Sequence, residues 1–242
     1  MCFILFLILY CNIHINSLLF SYNNFTYKKI SRINNNIILK SKYNKDLDLI
    51  NHKYTLISDS NMPIIYSKIN LHNIQLKKAV YSLEHIYPIS HMTDSAKIDM
   101  HNLFKTTKFL NNARSNYKYT DYEEFLIYPN NTYFTIKNDV INNNNWITLE
   151  NDNYVNHKKK LFIPSNESKG IISRAILYTT FKYNFEFEKV INLDTLISWY
   201  LKYPPTDKEK YHNNYVKKIQ YTDNKFISSY KCNIKMLLKL KK

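Results

Sequence analysis

The chain has 242 residues, 45% of them hydrophobic, with Lys+Arg at 34 against Asp+Glu at 19 and a formal net charge of +15. That length and apolar content suffice for one domain with a sizeable core, and the positive surplus favours polyanionic partners, nucleic acid before an anionic membrane surface. An abundance of Asn, Lys, Ile and Tyr, as AT-rich coding produces, would itself raise Lys, so charge alone leaves a solvated basic surface equally open. The three cysteines, Cys2, Cys11 and Cys232, form no CxxC or Cys/His pattern, which argues against structural zinc.

Residues 1–22 carry an apolar run broken by Asn12, His14 and Asn16. It is shorter than a spanning helix and reads as a signal-peptide-like segment, with an uncleaved anchor as the other reading. Residues 23–50 contain Lys28, Lys29, Arg32, Lys40, Lys42 and Lys45 and no acid before Asp46. Such a basic leader is expected to be disordered and suits either a transit peptide or a low-complexity linker. Together the two segments suggest routing through the secretory pathway, to the exterior or to a plastid-like organelle. No stable membrane association is expected once the signal is removed.

A domain is expected over 51–235. Its first element falls near 53–69, followed by a strand over 74–83 in which Val80 and Tyr81 favour extended backbone. That strand runs into Glu84-His85, and Pro88 stops it. Residues 93–103 read as a short helix and a turn, and 109–116 as a helix start that Asn111 or Asn112 could cap. Residues 122–160 lack periodicity and read as an insertion, with one strand at 133–136. Beyond it the chain reads as helical. Ile172, Ala175, Ile176 and Thr179 share one face of a helix from Ser168, and a second helix spans 193–201 before Pro204-Pro205. Thr206 and Glu209 form a capping box for a third, through Ile219. The sole glycine, Gly170, marks a point where a Cβ has been avoided.

Several short motifs follow one another in order: Leu83-Glu84-His85-Ile86-Tyr87-Pro88, Asp99-Met100-His101-Asn102-Leu103, Leu110-Asn111-Asn112-Ala113-Arg114-Ser115-Asn116, Phe162-Ile163-Pro164, Lys169-Gly170 through Tyr178, and Trp199. No single one is strong. As an ordered set over about residues 80–227 they resemble the endonuclease I family, whose pattern reads E-H-x-x-P, D-x-H-N-L, V-N-x-x-R-S-N, F-x-P and K/R-G-x-x-A-R-A-x-x-Y.

The resemblance implies an α+β fold: a ββα-metal (His-Me finger) core embedded in a mainly helical domain. It implies a divalent-metal-dependent endonuclease acting on DNA, with RNA as a second possible substrate. His85 matches the general base, Glu84 and Asn111 match the ligands of one Mg²⁺ (or Mn²⁺ or Ca²⁺), and Asn102 matches the residue that braces the loop carrying His85. The chemistry agrees: a neutral imidazole is a natural base near neutrality, and a carboxylate with an amide oxygen are hard ligands for a cation that keeps several waters. Arg114, Lys169 and Arg174 are candidates for phosphate contact, with internal pairing an equal reading for the two arginines.

Other readings stand beside these. Asn111 could simply cap a helix, and Asn112 is a rival ligand. His101 reads as a packed histidine, His91 as a loop residue, and Lys158-Lys159-Lys160 as a solvated face. The chain departs from the family in the blurred segment 212–227, and it has no arginine between Glu84-His85 and Asp99, where Lys97 is the only lysine or arginine. The alternative function is therefore a weakened or inactive nuclease-fold protein that binds nucleic acid or a protein partner.

Overall fold

The computed structural model describes residues 62–67, 81–93, 95–121 and 145–240. The signal-like segment, the leader and the strand expected at 133–136 lie outside them.

The first unit is a ββα arrangement. Strand β1, Tyr81–His85, pairs antiparallel with β2, Leu103–Thr107, and Glu84 faces Phe104 in the register as His85 faces Leu103. Helix α1, Lys108–Arg114, follows β2 without a linker. Thr107 ends the strand and caps the helix, its hydroxyl accepting from the Leu110 N–H at 3.2 Å. Asn111 and Asn112 therefore lie inside the helix and do not cap it. Where a short helix and then a turn were expected in 93–103, the described residues form a turn over 95–98 and then a single 3₁₀ turn at Met100–Asn102, with β2 beginning directly after it; another 3₁₀ turn, Ile89–His91, precedes the stretch. Strand β2 was not anticipated because its first four residues are buried on both faces, which erases the alternation that marks a half-buried strand. Ile64 adds an isolated parallel bridge to Lys105.

The second sheet comprises β3 (Lys118–Tyr119), β4 (Ile147–Leu149), β5 (Asn153–Asn156) and β6 (Leu161–Ile163), in the order β3-β6-β5-β4, with β3 parallel to β6 and the other pairs antiparallel. Residues 147–149 and 153–156, within the stretch read above as an insertion, are sheet strands joined by a 3₁₀ turn at Glu150–Asp152. All four residues of β5 are buried, and its two asparagines, poor strand formers, are held there by their side-chain hydrogen bonds. The Asn153 side chain donates to the Tyr66 carbonyl at 2.7 Å and accepts from the Ser165 N–H at 2.9 Å, while Asn156 accepts from the Lys159 N–H.

Five helices complete the domain: α2 (Asn166–Tyr183), α3 (Leu193–Lys202), α4 (Asp207–Gln220), α5 (Lys225–Ser228) and α6 (Tyr230–Leu240). Every residue of α2 from Ser168 to Thr179 is buried, as befits a central helix. It packs on α3 beside Gly170, where an added Cβ would lie 2.7 Å from the Tyr203 Cβ and 2.8 Å from Arg174 Nη2. Thr206 caps α4 by accepting from the Glu209 N–H at 3.2 Å. The reciprocal half of the capping box is not made, because the Glu209 carboxylate binds Arg174. The largest core cluster joins Ile86, Phe104, Leu110 and Tyr119 to Phe162, Ile172, Ile176, Leu196 and Trp199, tying the ββα unit, the second sheet and the helices together. The fold is α+β, as expected. Among the described residues no helix is long and apolar enough to cross a membrane.

Candidate active site

Alternation along β1 sends Ser82 and Glu84 off one face and His85 off the other. Helix α1 lies against the first face. Asn111 Nδ2 donates to Ser82 Oγ at 2.8 Å and to the Leu83 carbonyl at 3.1 Å. One turn further along α1, Arg114 Nη1 donates to the His85 carbonyl at 3.2 Å and pairs with Glu84 Oε1 at 3.1 Å, while Nη2 donates to the Ile86 carbonyl at 2.8 Å. Residues three apart on a helix share a face, so Asn111 and Arg114 together clasp the end of β1. Asn112 is on the exposed side of α1.

Glu84 is 2% exposed, and Oε1 also accepts from the Tyr66 hydroxyl at 3.2 Å. Among the described residues neither Oε2 of Glu84 nor Oδ1 of Asn111 has a hydrogen-bond partner. Burial pushes the Glu84 carboxyl up to about 7, against the opposing pull of Arg114 and the Tyr66 hydrogen bond. A carboxylate oxygen and an amide oxygen directed from one side of the strand are hard donors, and this pair fits a hydrated Mg²⁺ or Mn²⁺ by its chemistry. Among the described residues no group of three or more His, Cys, Asp or Glu side chains could hold a metal.

The His85 ring lies on the other face. Its Nε2 is 2.8 Å from the Lys97 carbonyl, which can only accept, so Nε2 carries the proton and Nδ1 the lone pair. Burial lowers its pKa to about 4 and keeps the imidazole neutral across the physiological range. The turn after His85 is held by Asn102, whose Oδ1 accepts from the Tyr87 N–H at 2.7 Å and whose Nδ2 donates to the Tyr87 carbonyl at 3.0 Å. Asp99, three residues earlier, anchors this connection to α2: its Oδ2 accepts from Lys182 Nζ, the Tyr183 hydroxyl and the Tyr178 hydroxyl at 2.6, 2.6 and 3.0 Å.

Thus Glu84, His85, Asn102 and Asn111 all converge on the end of β1 and the turn that follows it, with Glu84 and Asn111 on one side and His85 on the other. The cationic candidates are all internal: Arg114 and Arg174 make the internal pairs that were the equal reading for them, and Lys169 does the same. Arg114 and Arg174 are 1% exposed and Lys169 is 3% exposed. Arg174 makes a two-pronged ion pair with Glu209, both bonds 2.6 Å, and donates to the Tyr203 carbonyl. Lys169 pairs with Asp121 at 2.9 Å, and the other oxygen of Asp121 accepts from Trp199 Nε1. These three side chains are bound inside the fold, where a phosphate does not reach them. Lys158, Lys159 and Lys160 are exposed between β5 and β6, whereas His101 is buried with Nε2 on the Thr222 carbonyl.

Tyr66, Tyr119 and Ser82 were not singled out from the sequence. Two of them belong to a set of 22 tyrosines, and no spacing distinguishes them. Only the Glu84 and Asn111 contacts reveal them.

Compared with known proteins, residues 22–230 match the family model described as Endonuclease I. No curated protein matches the chain.

Proposed function

Because the chain belongs to the endonuclease I family, a family of nucleases, we propose that it is a divalent-metal-dependent endonuclease that hydrolyses phosphodiester bonds of DNA, with RNA as a second substrate, and with little sequence preference. The observation that carries this reading is the His85 ring: Nε2 is engaged by a backbone carbonyl, which leaves Nδ1 as a neutral base at the end of β1. In the proposed reaction Nδ1 takes a proton from the attacking water. Asn102 holds the turn that fixes the ring, through both of its hydrogen bonds to Tyr87. Glu84 Oε2 and Asn111 Oδ1 would hold the cation, and Ser82 and the Leu83 carbonyl orient the Asn111 amide. A divalent ion bound there supplies charge relief on the phosphate and on the departing oxygen. Contacts made mainly to phosphate carry no sequence information, which accounts for broad cutting.

The test is plasmid nicking with Mg²⁺, with and without EDTA, on the wild type and on His85→Ala. Cutting should require the metal and should disappear in His85→Ala while DNA binding stays nearly intact. An active His85→Ala protein would refute the assigned base. A second reading, a weakened or inactive nuclease fold that still binds nucleic acid, is favoured by one observation: Arg114, Lys169 and Arg174 are all engaged internally, and none flanks a reacting phosphate. Metal-independent DNA binding with no cutting by the wild type would select it. We further propose delivery through the secretory pathway, on the strength of the apolar segment 1–22 and the acid-free leader. Mass spectrometry of the native N-terminus checks it, since an uncleaved Met1 terminus excludes signal removal.

A further inference from the structure

Tyr66 lies early in the domain, and its ring and backbone are both held by the core. Its ring is fully buried, edge-on to Phe162 at 5.0 Å between centroids. Its backbone adopts φ 64°, the left-handed region that a bulky aromatic residue rarely enters. Three side chains hold it there. The Tyr66 N–H donates to Ser168 Oγ at 2.8 Å, and the Tyr66 carbonyl accepts from Asn153 at 2.7 Å and from Asn151 at 3.3 Å. Strain of this kind persists only where surrounding structure over-determines it, and it concentrates at functional sites.

The strained residue delivers one hydroxyl. The Tyr66 O–H has a single proton. A carboxylate accepts it, since Glu84 Oε1 lies 3.2 Å away. The Tyr119 hydroxyl, 2.5 Å from the Tyr66 oxygen, then donates into that oxygen. Tyr119 is in turn covered by Arg114, whose Cζ lies 4.4 Å from the ring centroid and whose Nη1 binds the same Glu84 Oε1. Oε1 is therefore held from two directions, by a phenol relay and by a guanidinium, and Oε2 by neither.

We infer that Tyr66, backed by Tyr119, is a positioning residue that holds Glu84 by Oε1 so that it meets a divalent cation through Oε2 alone. This rests on the reading of Glu84 as a metal ligand. Outer partners of this sort orient a ligating carboxylate, and their loss typically weakens metal affinity by about 10- to 100-fold. In Tyr66→Phe the ring and its packing remain and only the hydroxyl is lost, so Oε1 keeps Arg114 alone and the carboxylate is free to turn.

The experiment measures Mn²⁺ binding to the full chain by electron paramagnetic resonance, without substrate, for wild type, Tyr66→Phe, Tyr119→Phe and Glu84→Gln. Thermal unfolding of the metal-free proteins and the Mg²⁺ dependence of nicking are read alongside. Tyr66→Phe should weaken Mn²⁺ binding by about 10-fold or more and raise the Mg²⁺ needed for half-maximal nicking by a similar factor, with a smaller change in rate at saturating Mg²⁺. Tyr119→Phe should act in the same direction and less strongly. Unchanged or tighter Mn²⁺ binding in Tyr66→Phe, with binding abolished in Glu84→Gln, overturns the positioning role and leaves the metal site standing. Unchanged binding in Glu84→Gln overturns the metal-site reading itself. A loss in Tyr66→Phe that merely follows a large fall in unfolding temperature also overturns the inference, since packing would then explain it.

Discussion

His85 and Glu84 are adjacent in sequence but titrate in opposite directions, and the difference predicts how activity responds to pH. Burial holds the histidine down to about 4 and the carboxyl up to about 7. On the proposed reading the base would stay unprotonated well below neutrality, while protons would compete with the cation for Glu84 once pH falls below about 7. We expect the Mg²⁺ needed for half-maximal nicking to rise steeply, approaching 10-fold per pH unit, between pH 7 and pH 5, and the rate at saturating Mg²⁺ to change little over the same interval. A saturated rate that falls with a midpoint near the ordinary histidine value would contradict the buried, neutral His85. At this scale the sequence was informative where chemistry is local. Glu84, His85, Asn102 and Asn111 could be named from short motifs because each lies within a few residues of the others' partners along the hairpin or on α1. The residues that orient them were not legible, because Tyr66 meets Glu84 through a fold-level contact and through a backbone conformation that no composition signals.

At the scale of elements, the motif around Gly170 and Arg174 works as a junction between helices. Gly170 lets α2 approach the end of α3, and Arg174 crosses the same gap to Glu209 on α4 and to the Tyr203 carbonyl. Removing one partner of a buried ion pair leaves the other charge uncompensated, at a cost of about 3–5 kcal/mol. Arg174→Ala should therefore lower the unfolding free energy measured in urea by that amount, while the salt dependence of DNA binding by the folded fraction stays as in wild type. A variant of unchanged stability with weakened DNA binding would restore the phosphate-contact role. Helices α2, α3 and α4 could be read from periodicity, the Thr206 cap and Pro204-Pro205. The hairpin strand β2 and strand β5 could not, because short strands buried on both faces carry no alternation, and Asn153 and Asn156 have low strand propensity; β4 is only three residues long, too short to show a period.

For the molecule as a whole, buried histidines set the acid limit. His212 is held down to about 3 by burial and His85 to about 4, and burial lowers His101 too. Each is neutral when folded and takes up a proton when unfolded, so the stability it contributes is complete above about pH 6.5 and is lost as pH falls towards the folded value. Asp99 acts in the same direction. Although burial raises it, the Lys182 ammonium and the hydrogen bonds from Lys182 and Tyr183 bring its carboxyl below the usual value. Glu84 is opposite in sign: its raised carboxyl costs stability as pH rises from about 4.5 to about 7 in the metal-free protein. His212 and His85 each cost about 2 kcal/mol between pH 7 and pH 5, and Glu84 offsets roughly one of them. Urea unfolding of the metal-free protein should accordingly show a lower midpoint at pH 5 than at pH 7, and a midpoint that is equal or higher at pH 5 would contradict the buried neutral state of these rings. The pinning of Tyr66 has a consequence for synthesis. Its N–H is received by Ser168 and its carbonyl by Asn153, about a hundred residues downstream. A chain still emerging from the ribosome has the motif of the first hairpin long before it has the side chains that force Tyr66 against Glu84. On the proposed reading, a fragment that stops short of Ser168 would lack the side chains that pin Tyr66 against Glu84 and would hold the cation weakly.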